Sequence, residues 1–490
     1  MKLNNSKNFI QLILVTVFLI FLVSCSSDSD SGNNPIETNN TVTVILLHTN
    51  DEHGWMEPTS TFNGAAGLTG LWKTNENYSA SGAFLVLSGG DNWTGPAIST
   101  WFDGQSMVEV MNEMNYTATA IGNHEFDYKT DILKQRESES NYPYLSANIR
   151  YKGSNNIPDF ATPYIIKKIS GVTFGIIGLT TISTPSTAFP ENVQDYDFIS
   201  YQDALNQFVP EMKNKGAEFI IVDGHICVSE MQTLSSTAKS LGISIMTGGH
   251  CHEQFSGVSN DVVILESGSS MKGYSKVEIK YDTLQNTTVS VTPSYIVNSG
   301  SNIDQDVKSI VDKWKQEADK ALSEVIGFAS EEIPQNSNAM YNMIADSWLY
   351  SFPNSEISIS NKGGVRQSLP AGNITLGSIV GILPFDNEII ELKLTGSELI
   401  NSLNSSLFTG GMTRTGGYYL SDGSQVNSSD TYSVLITDYM YQSYTYFADY
   451  DANPYLTNTN FRQPLIDWIK SLNTTSANSL NNYLDTASRE

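Results

Sequence analysis

The chain has 490 residues, 40% of them hydrophobic and 10% aromatic, long enough for two or three domains with full cores at roughly 100–200 residues each. With 27 Lys and Arg against 52 Asp and Glu, its formal charge is −25. That balance argues against a nucleic-acid groove, which needs clustered Lys and Arg, and is the balance of a solvated acidic surface.

Residues 1–24 have the pattern of an export signal: Lys2 and Lys7 form a basic start, and the run Phe9 to Val23 is apolar apart from Gln11 and Thr16. It is shorter than the ~20 residues a spanning helix needs. It ends in Leu22-Val23-Ser24-Cys25, which resembles the lipobox of bacterial lipoproteins and makes Cys25 the expected lipidation site. Residues 25–40, rich in Ser, Asp and Asn, read as a flexible tether. The Ser/Asp run resembles tags that send lipoproteins to the outer face of the outer membrane. Hence the expectation is an exported, lipid-anchored protein of the outer membrane, on its periplasmic or cell-surface side.

The run Thr41 to Leu47 is β-branched and apolar, as a buried strand should be, and it delivers His48-Thr49-Asn50-Asp51-Glu52-His53-Gly54. Asp51 and His53, two apart, can share one cation, while His48 inside the strand reads as a core histidine. The next strand, Ala83 to Leu87, leads into Ser88-Gly89-Gly90-Asp91, where two glycines let the backbone come close to whatever Asp91 touches. A helix around Ser106 to Met114 and a short strand from Ala118 precede Ile121-Gly122-Asn123-His124-Glu125-Phe126-Asp127. Further strands, Phe174 to Leu179, Phe219 to His225 and Ile243 to Thr247, end at His225 and at Gly248-Gly249-His250-Cys251-His252. All six histidines lie in this half, and five of them sit in short motifs at strand ends, the pattern of a metal site built from several loops. Cys227 and Cys251 adjoin these histidines. Burial as small apolar residues is the first reading of both, a disulfide the second, and metal ligation the third.

Antiparallel strands from Val262 to Val297 are expected to close the sheet of an α/β domain over 41–300. A helical stretch from Asn302 to Ile326, within a linker of residues 301–334, connects to a second domain over 335–475. That domain opens on a helix from Ala339 to Tyr350 and has strands at Ile357 to Ser360, Ile389 to Leu394 and Thr431 to Thr437. The tail, 476–490, is polar, and the chain from Asn473 is expected to fray.

Taken together, the blocks around Asp51 and His53, Asp91, Asn123-His124, His225 and His250-Cys251-His252 resemble the five metallophosphoesterase blocks in the order of the 5′-nucleotidase family. In the second half Asn361-Lys362-Gly363-Gly364-Val365-Arg366, Gly372-Asn373-Ile374-Thr375, Pro384-Phe385-Asp386-Asn387 and Leu394-Thr395-Gly396 resemble that family's C-terminal substrate-binding domain. The resemblance implies an α/β protein, a calcineurin-like β-sandwich flanked by helices followed by an α/β substrate-binding domain. It further implies two divalent transition-metal cations (Zn, Mn or Fe): one on Asp51, His53, Asp91 and His252, the other on Asp91, Asn123, His225 and His250. Such a pair would lower the pKa of a water between them and clamp phosphoryl oxygens. His124, paired with Asp127, would stabilise charge or protonate the leaving oxygen. Glu125 takes a supporting role.

On the substrate side the resemblance implies binding by Asn361 and Arg366 and base stacking at positions occupied here by Met412 and Tyr439. The segment after Tyr439 reads Gln442-Ser443-Tyr444-Thr445-Tyr446, which departs from the family's Gly- and Asp-rich pattern. Tyr418, Tyr419, Tyr441 and Tyr444 are left to form a different pocket or a core. The function implied is hydrolysis of phosphomonoesters, nucleoside 5′-monophosphates first, outside the cytoplasm. The alternatives are 2′,3′-cyclic nucleotides or nucleotide sugars on the same metals, or a surface binding lipoprotein without turnover. A hinge between the domains is a further expectation.

Overall fold

The computed structural model describes residues 40–490; the export signal, Cys25 and all of the tether but Asn40 lie outside the described residues. Among the described residues no helix is long and apolar enough to cross a membrane.

Two six-stranded sheets lie face to face in the first half. One runs Thr287–Val297, Gly273–Asp282, Thr41–Thr49, Phe84–Ser88, Ala118–Ala120, Tyr144–Leu145 in spatial order. The other runs Gln254–Ser259, Val262–Ser267, Ile243–Thr247, Phe219–His225, Val172–Thr180, Tyr164–Ile169. The period-2 alternation of strand side chains explains why the central runs are apolar throughout. Val44 and Leu46 point between the sheets with Leu85, Leu87, Ile176, Ile221 and Ile245. Leu47 points outward under helices Gly64–Asn75, Gln105–Glu113 and Gln305–Leu322. In the second sheet Ile177, Ile220 and Val222 face helices Tyr201–Asn214 and Val228–Ser240. The expected sandwich with helices outside is thus what forms.

Strands Thr41–Thr49, Phe84–Ser88 and Ala118–Ala120 run parallel, as do Val172–Thr180, Phe219–His225 and Ile243–Thr247. Parallel strands bring their carboxyl ends to one edge, and the loops carrying the histidine motifs are gathered there.

Helix Gln305–Leu322 starts at Asp304, whose carboxylate accepts the Val307 N–H at 3.0 Å. Val307, Val311, Trp314 and Ala318 join the first core, so the helix packs on the sandwich, and its last residue, Leu322, lies against Gly377 of the second half. The strand after it, Val325–Ala329, pairs with Gly372–Thr375 of the second half.

There a five-stranded sheet runs Leu407–Gly410, Ile357–Asn361, Thr431–Thr437, Glu388–Thr395, Tyr455–Asn460. Helices Asn338–Ser351 and Gln463–Leu472 cover one face, and a second cluster ringed by tyrosines fills the other. The tail does not fray as its polar composition suggested. Leu480 is buried, Arg489 makes paired 2.7 Å bonds to the Asp346 carboxylate, and Asn342 Nδ2 donates to the Asp485 and Ala487 carbonyls.

Candidate metal centre and substrate cavity

Three of the five motifs leave their strands on sharp backbone turns. Asp51, His53, Asp91, His250 and His252 all have positive φ, between 44° and 76°, a left-handed conformation that costs a residue with a Cβ roughly 1–2 kcal/mol. Other residues share this conformation, but these five are of ligand type and carried by the loops at one sheet edge, which points to function. Glycines make the turns possible: a Cβ on Gly122 would lie 2.2 Å from Asp91 Oδ1, and one on Gly89 would lie 2.6 Å from the Gly248 carbonyl oxygen.

Two buried acids pin the loops. The Glu125 carboxylate accepts N–H bonds from Asp91 (2.9 Å), Asn92 (2.7 Å) and Gly122 (2.6 Å). Glu52 accepts from Ser88 Oγ and Asn92 Nδ2, both at 2.9 Å, and from the Thr49 hydroxyl. Burial pushes each up to about 7, against the pull of these hydrogen bonds. The expected supporting role of Glu125 has this geometry; Glu52, singled out for nothing, does the same work for its own loop.

The ligand-type side chains converge on these turns. Asp91 Oδ2 is 3.0 Å from His225 Nε2 and 3.9 Å from His53 Nε2. Asp51 Oδ1 is 3.2 Å from His252 Nε2 and 3.9 Å from His53 Nε2, and Asn123 Oδ1 is 3.2 Å from His225 Nε2. Asp51, His53 and His252 form one group able to hold an ion, and Asp91, His225 and His250 another. His250 and His225 have ring centroids 5.1 Å apart.

The tautomers suit ligation. His53 Nδ1 faces the Thr94 carbonyl at 2.8 Å and His225 Nδ1 the Gly89 carbonyl at 2.7 Å, so each ring donates there and turns Nε2 toward the cluster, that of His53 to 2.9 Å from Arg366 Nη2 and that of His225 to 3.0 Å from Asp91 Oδ2. Burial, then the Arg366 charge, holds the His53 imidazole well below its ordinary value, a neutral ring. At Asp91 burial works toward a raised pKa, but His225, His124 and His53 hold it well below the carboxylate range. Burial also works against a charged His225, yet Asp91, Asp51 and Glu125 push its imidazole up to about 10. The acids thus draw positive charge to this place, and a divalent cation can take the proton's position. Imidazole, carboxylate and one amide are donors that fit such a cation.

His48, in contrast, stays in the core: Nδ1 is 2.9 Å from Ser267 Oγ, and burial pushes its imidazole down to about 3.

Beside the cluster His124 Nδ1 lies 2.8 Å from Asp127 Oδ2. Burial alone would lower its pKa, but Asp127 and Asp91 raise it. A cavity of about 720 Å³ opens here, lined by Asp91, Asn123, His124, Asp127, His250 and His252 from the first half and by Asn361, Arg366, Phe385 and Tyr439 from the second. Arg366 Nη2 reaches to 2.9 Å from His53 Nε2. Phe385 stacks on His124 with centroids 5.6 Å apart and lies under the Arg366 guanidinium at 5.8 Å. It was not singled out as a site residue, although the Pro384 to Asn387 motif held the signal.

Met412 is the substrate-side expectation that fails. It is 3% exposed and packs with Ile357, Ile359 and Val434, because the hairpin Met412–Thr413 with Tyr419–Leu420 turns it into the core. Tyr418, Tyr441 and Tyr444 pack on that same core. Nor are the cysteines merely buried: Cys227 and Cys251 form a disulfide.

Residues 45–254 match the family model described as calcineurin-like phosphoesterase, and residues 320–421 match the 5′-nucleotidase C-terminal domain. The endonuclease YhcR of Bacillus subtilis is 25% identical over 400 residues, covering 73% of this chain; the chain spans about a third of that protein, 32% of its length. The snake venom 5′-nucleotidase of Crotalus adamanteus is 27% identical over 415 residues, 74% of this chain and 70% of the relative. The crystal structure of the 5′-nucleotidase precursor from Thermus thermophilus superposes with a TM-score of 0.78 at 20% identity, covering 91% of this chain and 99% of that one. The chain belongs to the 5′-nucleotidase family, pairing a calcineurin-like phosphoesterase domain with a 5′-nucleotidase C-terminal domain.

Proposed function

We propose that this protein hydrolyses phosphomonoesters, nucleoside 5′-monophosphates above all, with two divalent cations and outside the cytoplasm. The observation that carries the reading is Asp91, a buried carboxylate shared between imidazoles of two ligand groups at the floor of a cavity whose other wall carries Arg366.

Asp51, His53, Asp91 and His252 would hold one cation, and Asp91, Asn123, His225 and His250 the other. Their imidazole, carboxylate and amide donors suit Zn, Mn or Fe better than an all-oxygen cage would. When bound, such a pair supplies Lewis acidity toward phosphoryl oxygens and a lowered pKa for water at the site. The protein's own groups do the rest. His124, whose imidazole Asp127 and Asp91 push up against the effect of burial, would give a proton to the leaving oxygen. Arg366 presents forked donors to a phosphate, aided by Asn361 on the same wall. Tyr439 offers a ring face to the leaving group, while Phe385 packs against His124 and Arg366.

Export and anchoring at Cys25 are part of the same proposal. They rest on the signal-like residues 1–24, and the internal disulfide agrees with an oxidising compartment.

The test supplies the metal-free protein with Mn²⁺ or Zn²⁺ and with AMP, a 2′,3′-cyclic nucleotide or UDP-glucose, reading inorganic phosphate and, by chromatography, the nucleosides, nucleotides and sugar phosphate formed. Release from AMP alone is the expected result. Turnover of the cyclic nucleotide or the nucleotide sugar instead would shift the assignment to a diesterase on the same residues. Metal uptake with no turnover of any ester would overturn it in favour of a binding lipoprotein.

A further inference from the structure

Of the chain's three cysteines, the two within the described residues both sit inside ligand-bearing motifs, and they are bonded to each other with Cα atoms 5.2 Å apart. Cys227 follows His225 by two residues; Cys251 separates His250 from His252. We infer that the Cys227–Cys251 disulfide is a positioning cross-link that holds these three imidazoles in register for the cations, an inference that rests on the two-cation reading above.

The two ends of the bond are unequally anchored. Cys227 is 8% exposed and caps the helix Val228–Ser240, its N–H donating to Glu230 Oε2 at 3.1 Å. His225, just before it, is fixed by its 2.7 Å bond to the Gly89 carbonyl. This side is rigid. Cys251 lies on an exposed loop whose neighbours His250 and His252 are both held at positive φ, 76° and 57°. Side chains with a Cβ resist that conformation, so the loop is biased to relax unless it is tied down.

The loop's other ties are weaker in kind. The Gly249 N–H reaches the Ile226 carbonyl at 3.2 Å. The His250 N–H bonds the Asp51 carboxylate at 3.0 Å and the Glu253 N–H bonds the Glu266 carboxylate at 2.6 Å. Asp51 also faces His252 at 3.2 Å, so one of these ties shares its acceptor with the ligand cluster itself. The disulfide is covalent and independent of that carboxylate. It links the strained pair of histidines to the rigid end of the strand Phe219–His225, and supports that orient ligands in this way are commonly worth ten- to a hundred-fold in metal affinity.

The inference is tested by titrating Mn²⁺ calorimetrically into the metal-free full chain in three forms: untreated, reduced with a phosphine, and Cys227→Ala/Cys251→Ala. Near-ultraviolet circular dichroism and the thermal midpoint without metal report whether each form is folded. The expected result is Mn²⁺ affinity lowered on the order of ten- to a hundred-fold in both opened forms, with kcat recovered when Mn²⁺ saturates. If the double variant does not fold, the reduced wild type supplies the comparison. Equal affinity in folded oxidised and opened proteins overturns the inference, as does unfolding of both opened forms, because the bond would then hold the fold rather than the ligands. If the untreated protein itself takes up no Mn²⁺, the two-cation reading fails first; equal uptake in all three forms removes only the role of the cross-link.

Discussion

Arg366 and His53 are 313 positions apart in the chain, yet the guanidinium Nη2 lies 2.9 Å from the imidazole Nε2. His53 turns its other nitrogen to the Thr94 carbonyl, so the nitrogen facing Arg366 carries a lone pair. The second half of the protein therefore delivers its cation to the rim of the acid and imidazole cluster of the first. Under the proposed function, a phosphate resting on that cluster would meet the fork of Arg366.

Removal of the fork is expected to act mainly on substrate binding. Arg366→Ala should lower kcat/KM by on the order of 10²-fold, largely through KM, as expected when one partner of a desolvated charge pair is truncated. Arg366→Lys should recover only part, since an ammonium cannot make the two-pronged contact. Steady-state kinetics on AMP decides this, and an unchanged kcat/KM in the alanine variant would remove Arg366 from the site.

Tyr439 and Met412 both touch the tyrosine-ringed core but should differ in their effect on KM. Tyr439 lines the cavity, so Tyr439→Ala is expected to raise KM for AMP about ten-fold, a loss of base stacking worth roughly 1–3 kcal/mol, and to leave a small aryl phosphate unaffected. Met412 is core, so Met412→Ala should destabilise the fold by about 2–5 kcal/mol with KM unchanged. Reversal of the two effects, read by thermal unfolding and kinetics, would return Met412 to the substrate side.

Asp438, at the cavity wall beside Tyr439, gives a pH signature. Burial pushes its carboxyl up from 3.8 to about 6, with Glu388 and Asp386 adding to the rise and N–H bonds opposing it. A carboxyl raised in the folded state contributes stability that is full below pH 3.8 and lost as pH climbs through 6. Asp438→Asn, neutral throughout, should therefore stabilise the metal-free protein by about 1–2 kcal/mol at about pH 8, after allowance for solvent screening, and change little at about pH 4. Melting curves at the two values test the sign; a larger gain at the acid end would contradict it.

Anchoring is tested at the other end of the chain. Cys25→Ser is expected to move the protein from the membrane fraction of the producing bacterium to the soluble or secreted fraction. Retention in the membrane would rule out Cys25 as the lipid site.

Much of this architecture was legible because central parallel strands are buried on both faces. Runs such as Thr41 to Leu47 and Phe219 to Val222 need no polar alternation, and each leads into a ligand-type residue, Asp51 after the first and Gly224-His225 after the second. The convergence of Asp51, His53, Asp91, His225, His250 and His252 was readable for the same reason: strand ends at one sheet edge carry the imidazoles and acids.

What escaped depends on packing between distant segments. Its place in the chain points to Met412 as a stacking residue, but the side on which a short hairpin presents a residue is settled by the core beneath it. The tail looks disordered locally and is held by Arg489 on Asp346. The pairing of Cys227 with Cys251 requires two loops, 24 residues apart, to meet at one point, which no local pattern encodes.

The central claim is that Asp91 serves two cations that the reaction requires. The most direct measurement is a Mn²⁺ titration of metal-free wild type and Asp91→Ala, with phosphate release from AMP followed on the same samples. The account predicts two equivalents bound and turnover restored in the wild type, and in the variant weakened uptake with turnover lower by on the order of 10³-fold or more, since such ions supply several kcal/mol of transition-state stabilisation. Undiminished hydrolysis by Asp91→Ala, or by the wild type held in chelator, would contradict it.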